Sequence, residues 1–148
     1  MADETVVAQL ADAIAYAEGF FAPNSRANRN KNPGNLTQDI AGGGAGIGKD
    51  GMFIVYATAE DGWLDLKQQV RMMLDDASHI YSSNMTIREV AMRYTTTDQF
   101  AWATNVASRM GVPMNTPLRD LVRLATGGSA AIFFIFALIW FMAKGKKK

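Results

Sequence analysis

Acid–base chemistry in this chain has to run on carboxylates. It has no cysteine to serve as nucleophile or thiolate ligand, and its one histidine, His79, supports neither a multi-histidine metal centre nor a Ser-His relay. No metal or other cofactor is expected. Among the acids, Glu18 stands apart. On a helix advancing about 100° per residue it lies about 60° from the mid-line of the apolar stripe Val7, Leu10, Ile14, Ala17 and Phe21. Phe20 and Phe21 follow it, and desolvation by such neighbours would raise its pKa and hold the proton at neutral pH. A protonated carboxyl at a cleft edge is what glycosidic cleavage requires, because the leaving oxygen must take a proton as its bond breaks. The plainer alternative is an ordinary acid at a helix end, and periodicity alone favours that alternative.

Such an acid needs elements to hold it. Residues 3 to 21 read as a helix, which Gly19 and Pro23 end. Asn24 to Asn35 is polar, and Asn32, Pro33, Gly34 and Asn35 have the composition of a turn. Two short strands are expected, Leu36 to Ile40 and Phe53 to Tyr56, separated by a glycine-rich loop. Helices then follow. Thr58 with Asp61 opens one carrying Trp63, Leu66, Val70, Met73 and Ala77, and Thr86 with Glu89 forms a second capping box before Ile87, Val90, Ala91 and Tyr94. Asp98 caps a helix with Phe100, Ala103, Val106 and Met110 that stops at Gly111, and Thr116-Pro117 starts another. The body is thus mainly α, of α+β type, with one small hairpin.

The glycine-rich loop contains GGAGIGK, residues 43 to 49, a near match to a phosphate-binding loop. Asp50 follows where that motif needs a hydroxyl for Mg²⁺, and the next residues read as strand where the motif needs a helix, so a flexible hairpin tip is the better reading. Nucleic acid is not an expected partner either. Four lysines lie in the last five residues; the rest of the chain carries 11 basic against 14 acidic side chains, with no basic face.

The segment around Glu18 carries a resemblance. AYAEGFFAPNSRANRNKNPGNL, residues 15 to 36, resembles the opening of phage-encoded lysozyme-like lytic transglycosylase domains, in which a helix ends in the catalytic Glu and a Gly. FIVYATAEDGWLDL, residues 53 to 66, is similar to that family's second strand and following helix, and residues 85 to 121 to its closing helical segment. The resemblance implies a lysozyme-like fold and cleavage of the β-1,4 bond between N-acetylmuramic acid and N-acetylglucosamine in peptidoglycan. It implies that Glu18 acts first as acid and then as base, yielding a 1,6-anhydro end. Hydrolysis by two carboxylates would need a partner about 5 to 9.5 Å away, with Asp39 and Asp50 as candidates. The resemblance also matches Tyr94 to an aromatic residue that hydrogen-bonds the catalytic Glu, and puts Asn35, Gln38 and Tyr56 along the sugar-binding cleft. The glycine-rich loop departs from the family.

The 19 residues from Ala125 to Ala143 carry no charge and are followed by Lys144, Lys146, Lys147 and Lys148. At ~1.5 Å per residue they span about 28 Å, enough to cross the hydrocarbon core. Two parts are therefore expected: a lytic domain over residues 1 to 125 and a transmembrane helix with a basic tail over residues 126 to 148. No cleavable export signal is read at the N-terminus. The expected partners are peptidoglycan glycan strands, a lipid bilayer and other virion membrane proteins, with the chain in a virion membrane and, before assembly, the host inner membrane. A non-catalytic virion structural or wall-binding protein of the same fold is the alternative, and a cellular muramidase a third.

Overall fold

Asp3 starts the first helix, α1 (Glu4–Ala17), by accepting hydrogen bonds from the backbone N–H groups of Thr5 at 2.8 Å and Val6 at 3.4 Å. The structure is a computed structural model that describes residues 1–121. Val6, Val7, Leu10, Ala11, Ala13, Ile14 and Ala15 bury one face of α1 in the core. The helix ends four residues before the sequence reading placed its end. Glu18 is the C-cap, Gly19 takes φ +74°, the Gly19 N–H bonds Tyr16 O at 3.0 Å and the Phe20 N–H bonds Ala15 O at 2.9 Å. That paired reversal is a Schellman turn, and the left-handed residue it needs is why a glycine follows the acid. Because the helical period stops there, Phe21 is half exposed instead of continuing the stripe.

The polar segment after α1 contains a one-turn helix, α2 (Arg26–Arg29), capped by Ser25 and not foreseen in the sequence. The turn that follows is built on Asn32, which is fully buried. Its Oδ1 accepts from Leu36 N at 2.8 Å, and its Nδ2 donates to Leu36 O at 2.9 Å and Ile54 O at 3.0 Å, so one amide ties the turn to the sheet.

The hairpin corrects the expected first strand. Strand β1 (Gly46–Asp50) arises within the glycine-rich loop and pairs antiparallel with β2 (Phe53–Tyr56), whereas residues 36 to 40 form no strand. Four of the five β1 residues are exposed, so the strand needs no apolar alternation for which to be recognised, and glycine is tolerated at its edge position. Residues 36 to 40 find other partners: Leu36 O accepts from Ile54 N at 2.8 Å, and Ile40 N donates to Asp65 Oδ1 at 2.8 Å.

Three further helices complete the body. Thr58 caps α3 (Ala59–Leu74), Thr86 and Glu89 form a full reciprocal capping box at α4 (Ile87–Tyr94), and Asp98 caps α5 (Gln99–Met110), which Gly111 closes. Ala77 lies beyond α3. Residues 118 to 121 are helical, as Thr116-Pro117 suggested. Helix α1 packs on α3 and α5, and α4 on α5. Being flanked on two sides rotates and widens the buried face of α5: Trp102, Ala103, Val106 and Ala107 are buried, while Phe100, expected in the stripe, is 65% exposed.

The body is therefore mainly helical with one small antiparallel hairpin. No helix among the described residues is long and apolar enough to cross a membrane. The expected anchor over residues 126 to 148 and the domain boundary at residue 125 lie outside the described residues.

Candidate active site

Three separate stretches converge on Glu18. The Schellman turn presents its side chain at the end of α1, and both carboxylate oxygens are held: Asn35 Nδ2 donates to Oε2 and Trp102 Nε1 donates to Oε1, each at 2.7 Å. Both donors come from far along the chain. Asn35 follows the buried turn built on Asn32, and Trp102 lies on α5, 84 residues from Glu18. Burial raises the pKa of Glu18 above its ordinary value, and the two hydrogen bonds oppose that rise without cancelling it. No second carboxylate is among those influences.

An aromatic wall backs the acid. Tyr94 stacks at 5.0 Å between centroids on Trp102, and Tyr81 lies 6.2 Å from Tyr94. Burial pushes the Tyr81 phenol up to about 12, and that of Tyr94 well above its ordinary value, with the negative charge of Glu18 adding to both. Both phenols therefore stay neutral when Glu18 titrates.

The hydroxyl of Tyr94 does not bond Glu18 as the resemblance implied; it donates to Gly34 O at 2.8 Å, and Trp102 makes the aromatic hydrogen bond to the acid. Tyr94 thus secures the backbone one residue before Asn35. A Cβ at position 34 would stand 2.9 Å from both the Tyr94 hydroxyl oxygen and Leu66 Cδ1, so only glycine permits this approach.

A cleft of about 390 Å³ opens beside these groups, lined by the loop from Gly34 to Ala41, by Gln69 and Met72 of α3, by residues 78 to 81, and by Arg93 and Tyr94. Asn35, Gln38 and Tyr94 line it; Glu18 does not, and the cleft meets the acid through Asn35. Tyr56 is a correction. It is buried in the core, its hydroxyl donating to Asp65 Oδ2, so it faces no ligand. The hairpin strand alternates Ile54 and Tyr56 inward, which the expected cleft-facing position ignored.

The other acids are engaged elsewhere. Asp65 is fully buried between Tyr56 and Ile40 N, and burial raises its pKa against both hydrogen bonds. Asp39, on the cleft wall, accepts from Gly46 N at 2.9 Å, and Asp50 accepts from Asn30 Nδ2 at 3.1 Å. Lys49 points its ammonium at Thr37 O, so the phosphate-loop lysine is occupied by the hairpin's own neighbour. Among the described residues no three His, Cys, Asp or Glu side chains gather to hold a metal.

Trp102 is the residue of this candidate site that sequence reasoning missed. By the periodicity of its own helix it falls off the expected stripe, and nothing local links residue 102 to residue 18. Glu18 held between Asn35 and Trp102 is a mostly buried acid whose pKa is raised, beside an open cleft. A comparison of the chain with protein-family models, curated proteins and solved structures finds no match.

Proposed function

We propose that this chain is a peptidoglycan lytic transglycosylase that cleaves the β-1,4 bond between N-acetylmuramic acid and N-acetylglucosamine, anchored to a virion membrane by residues 126 to 148 and opening the wall during phage infection. The observation that carries the reading is Glu18, with a raised pKa and no carboxylate partner acting on it. A lone acid suits a reaction in which the substrate supplies its own nucleophile.

In the first step the Glu18 proton passes to the glycosidic oxygen as the muramyl C1–O bond breaks and the N-acetylglucosamine end leaves. The muramyl C6 hydroxyl then bonds to C1, and its proton returns to the Glu18 carboxylate, closing the 1,6-anhydro ring and regenerating the acid. Trp102 orients the carboxyl and shares with the Tyr81 and Tyr94 rings the work of excluding water from it. Gln38, exposed on the cleft wall with a donor and an acceptor, suits the acetamido and hydroxyl groups of the sugars, while the Asn35 amide is turned to Glu18.

The experiment is release of soluble fragments from purified sacculi by the full chain in detergent, beside a Glu18→Gln variant. Release by the parent and none by the variant supports the proposal. No release by either favours the non-catalytic wall-binding alternative.

A further inference from the structure

The two hydrogen bonds on Glu18 are chemically unequal. An indole N–H only donates, so Trp102 serves the carboxylate oxygen Oε1 and cannot accept a proton from it. A carboxamide donates at one end and accepts at the other, and turning it by 180° about its Cβ–Cγ bond exchanges the ends with little change of shape.

We propose that the Asn35 side-chain amide turns over with the protonation of Glu18, donating Nδ2–H to Oε2 of the ionised acid and accepting the Oε2 proton of the neutral acid on Oδ1.

Among the described residues this amide is held at one end only: Asn35 Nδ2 bonds Glu18, while Asn35 Oδ1 is buried with no hydrogen-bond partner there. Among the described residues Glu18 is thus the one group that fixes which way the amide faces, since either orientation leaves a single end without a partner. Asn32, three residues earlier, is the contrast: both of its ends are pinned to backbone, and turning it would break three hydrogen bonds. Asn35 also sits at φ +45°, where asparagine is among the few side chains readily accommodated, so its Cβ is presented at a backbone position of narrow choice.

The proton of the neutral acid then resides on Oε2, beside a residue that lines the cleft, and not on Oε1 against the indole. The catalytic consequence rests on the proposed glycan cleavage. Loss of the proton to the leaving oxygen lets Nδ2 swing back to Oε2, and return of the C6 hydroxyl proton to Oε2 turns the amide again. Asn35 is a positioning residue that gives the acid and the base form of Glu18 a partner each. The titratable groups facing Glu18 are Tyr81 and Tyr94, from the segment before α4 and from its last turn; α5 contributes Trp102, which does not titrate.

The test is read without substrate, so it stands or falls separately from wall cleavage. In the full chain in detergent micelles, the Glu18 side-chain carboxyl is titrated by NMR in the parent, Trp102→Phe and Asn35→Gly, glycine being compatible with the backbone at position 35. Removing the indole, whose bond to Oε1 is charge-assisted only in the ionised form, should lower the Glu18 dissociation constant about tenfold in Trp102→Phe, the difference between a hydrogen bond to a charged and to a neutral oxygen. Removing an amide that serves both forms should change it less than threefold in Asn35→Gly. In the parent, scalar coupling through the hydrogen bond from Asn35 Nδ2 to the Glu18 carboxyl should be present above the midpoint and lost below it. Equal shifts in the two variants, or coupling that persists below the midpoint, overturn the proposal.

Discussion

Glu18→Gln tests whether the acid is placed for chemistry or for stability, and the structure fixes the sign of both effects. Gln keeps an oxygen for the Trp102 indole N–H and offers an N–H where the neutral acid would carry its proton. The loss is charge assistance in two 2.7 Å hydrogen bonds, about 1 kcal/mol each. The gain is removal of the desolvation penalty on a buried carboxylate. Because the folded pKa of Glu18 is raised despite both bonds, the penalty is the larger of the two. The sign follows from linkage: a carboxyl whose pKa is higher folded than unfolded stabilises the fold while protonated, and that contribution is lost as pH rises through the folded pKa. The parent should therefore lose stability across that window relative to Glu18→Gln, and at pH 7 the variant should melt at or above the parent temperature. Activity should fall at least 10²- to 10⁴-fold, the usual range for general acid catalysis, and further because the same group also acts as base. Thermal melts from pH 4 to 8 and sacculus turbidity read the two effects. A variant that clears sacculi at the parent rate, or that melts well below the parent at neutral pH, refutes the reasoning.

Tyr94→Phe should cost about 1–3 kcal/mol in urea denaturation, since it leaves Gly34 O without its buried donor, but should reduce sacculus clearance far less than Glu18→Gln. Tyr56→Phe removes one of two donors from the buried Asp65; it should destabilise by a similar amount at neutral pH, with activity per folded molecule retained, as urea melts and clearance assays would read. Lys49→Ala should leave clearance within twofold and stability within about 1 kcal/mol, because its exposed ammonium serves only Thr37 O and Met52 O. Deleting residues 126 to 148 should abolish co-flotation with liposomes; flotation of the truncated chain would refute the anchor.

The helix starts were legible because each is written in a few adjacent residues. Asp3 was not singled out, but Thr58, Thr86 and Asp98 cap the helices they were read to cap, and Gly19 and Gly111 end theirs. What failed depended on distant packing. Asp65 lies about 120° from the mid-line of the α3 stripe, on what periodicity makes a solvent face. It is nevertheless fully buried, because the glycine loop lies against it so closely that a Cβ on Gly43 would stand 2.3 Å from Asp65 Oδ1. The first strand is hidden for another reason: four of its five residues are exposed, so it carries no apolar alternation. At the site, the turn from Asn32 to Asn35 is legible from residue types, whereas Glu18 at the rim of its stripe is an ordinary acid by periodicity alone and Asn35 is placed at the cleft by the resemblance. Trp102 is not legible, because only the seating of α5 between α1 and α4 brings its indole to the acid. Tyr94 was matched to a direct bond with Glu18 that the structure routes to Gly34 instead.

The central claim is that Glu18 works alone, with the substrate's own C6 hydroxyl as nucleophile. Mass spectrometry of the muropeptides released from purified sacculi by the full chain measures this directly. The account predicts muramyl ends lighter by one water than hydrolysed ends, the 1,6-anhydro product, and their disappearance with Glu18→Gln. Reducing muramyl ends throughout would contradict it, since they require an attacking water and hence a second group to activate it.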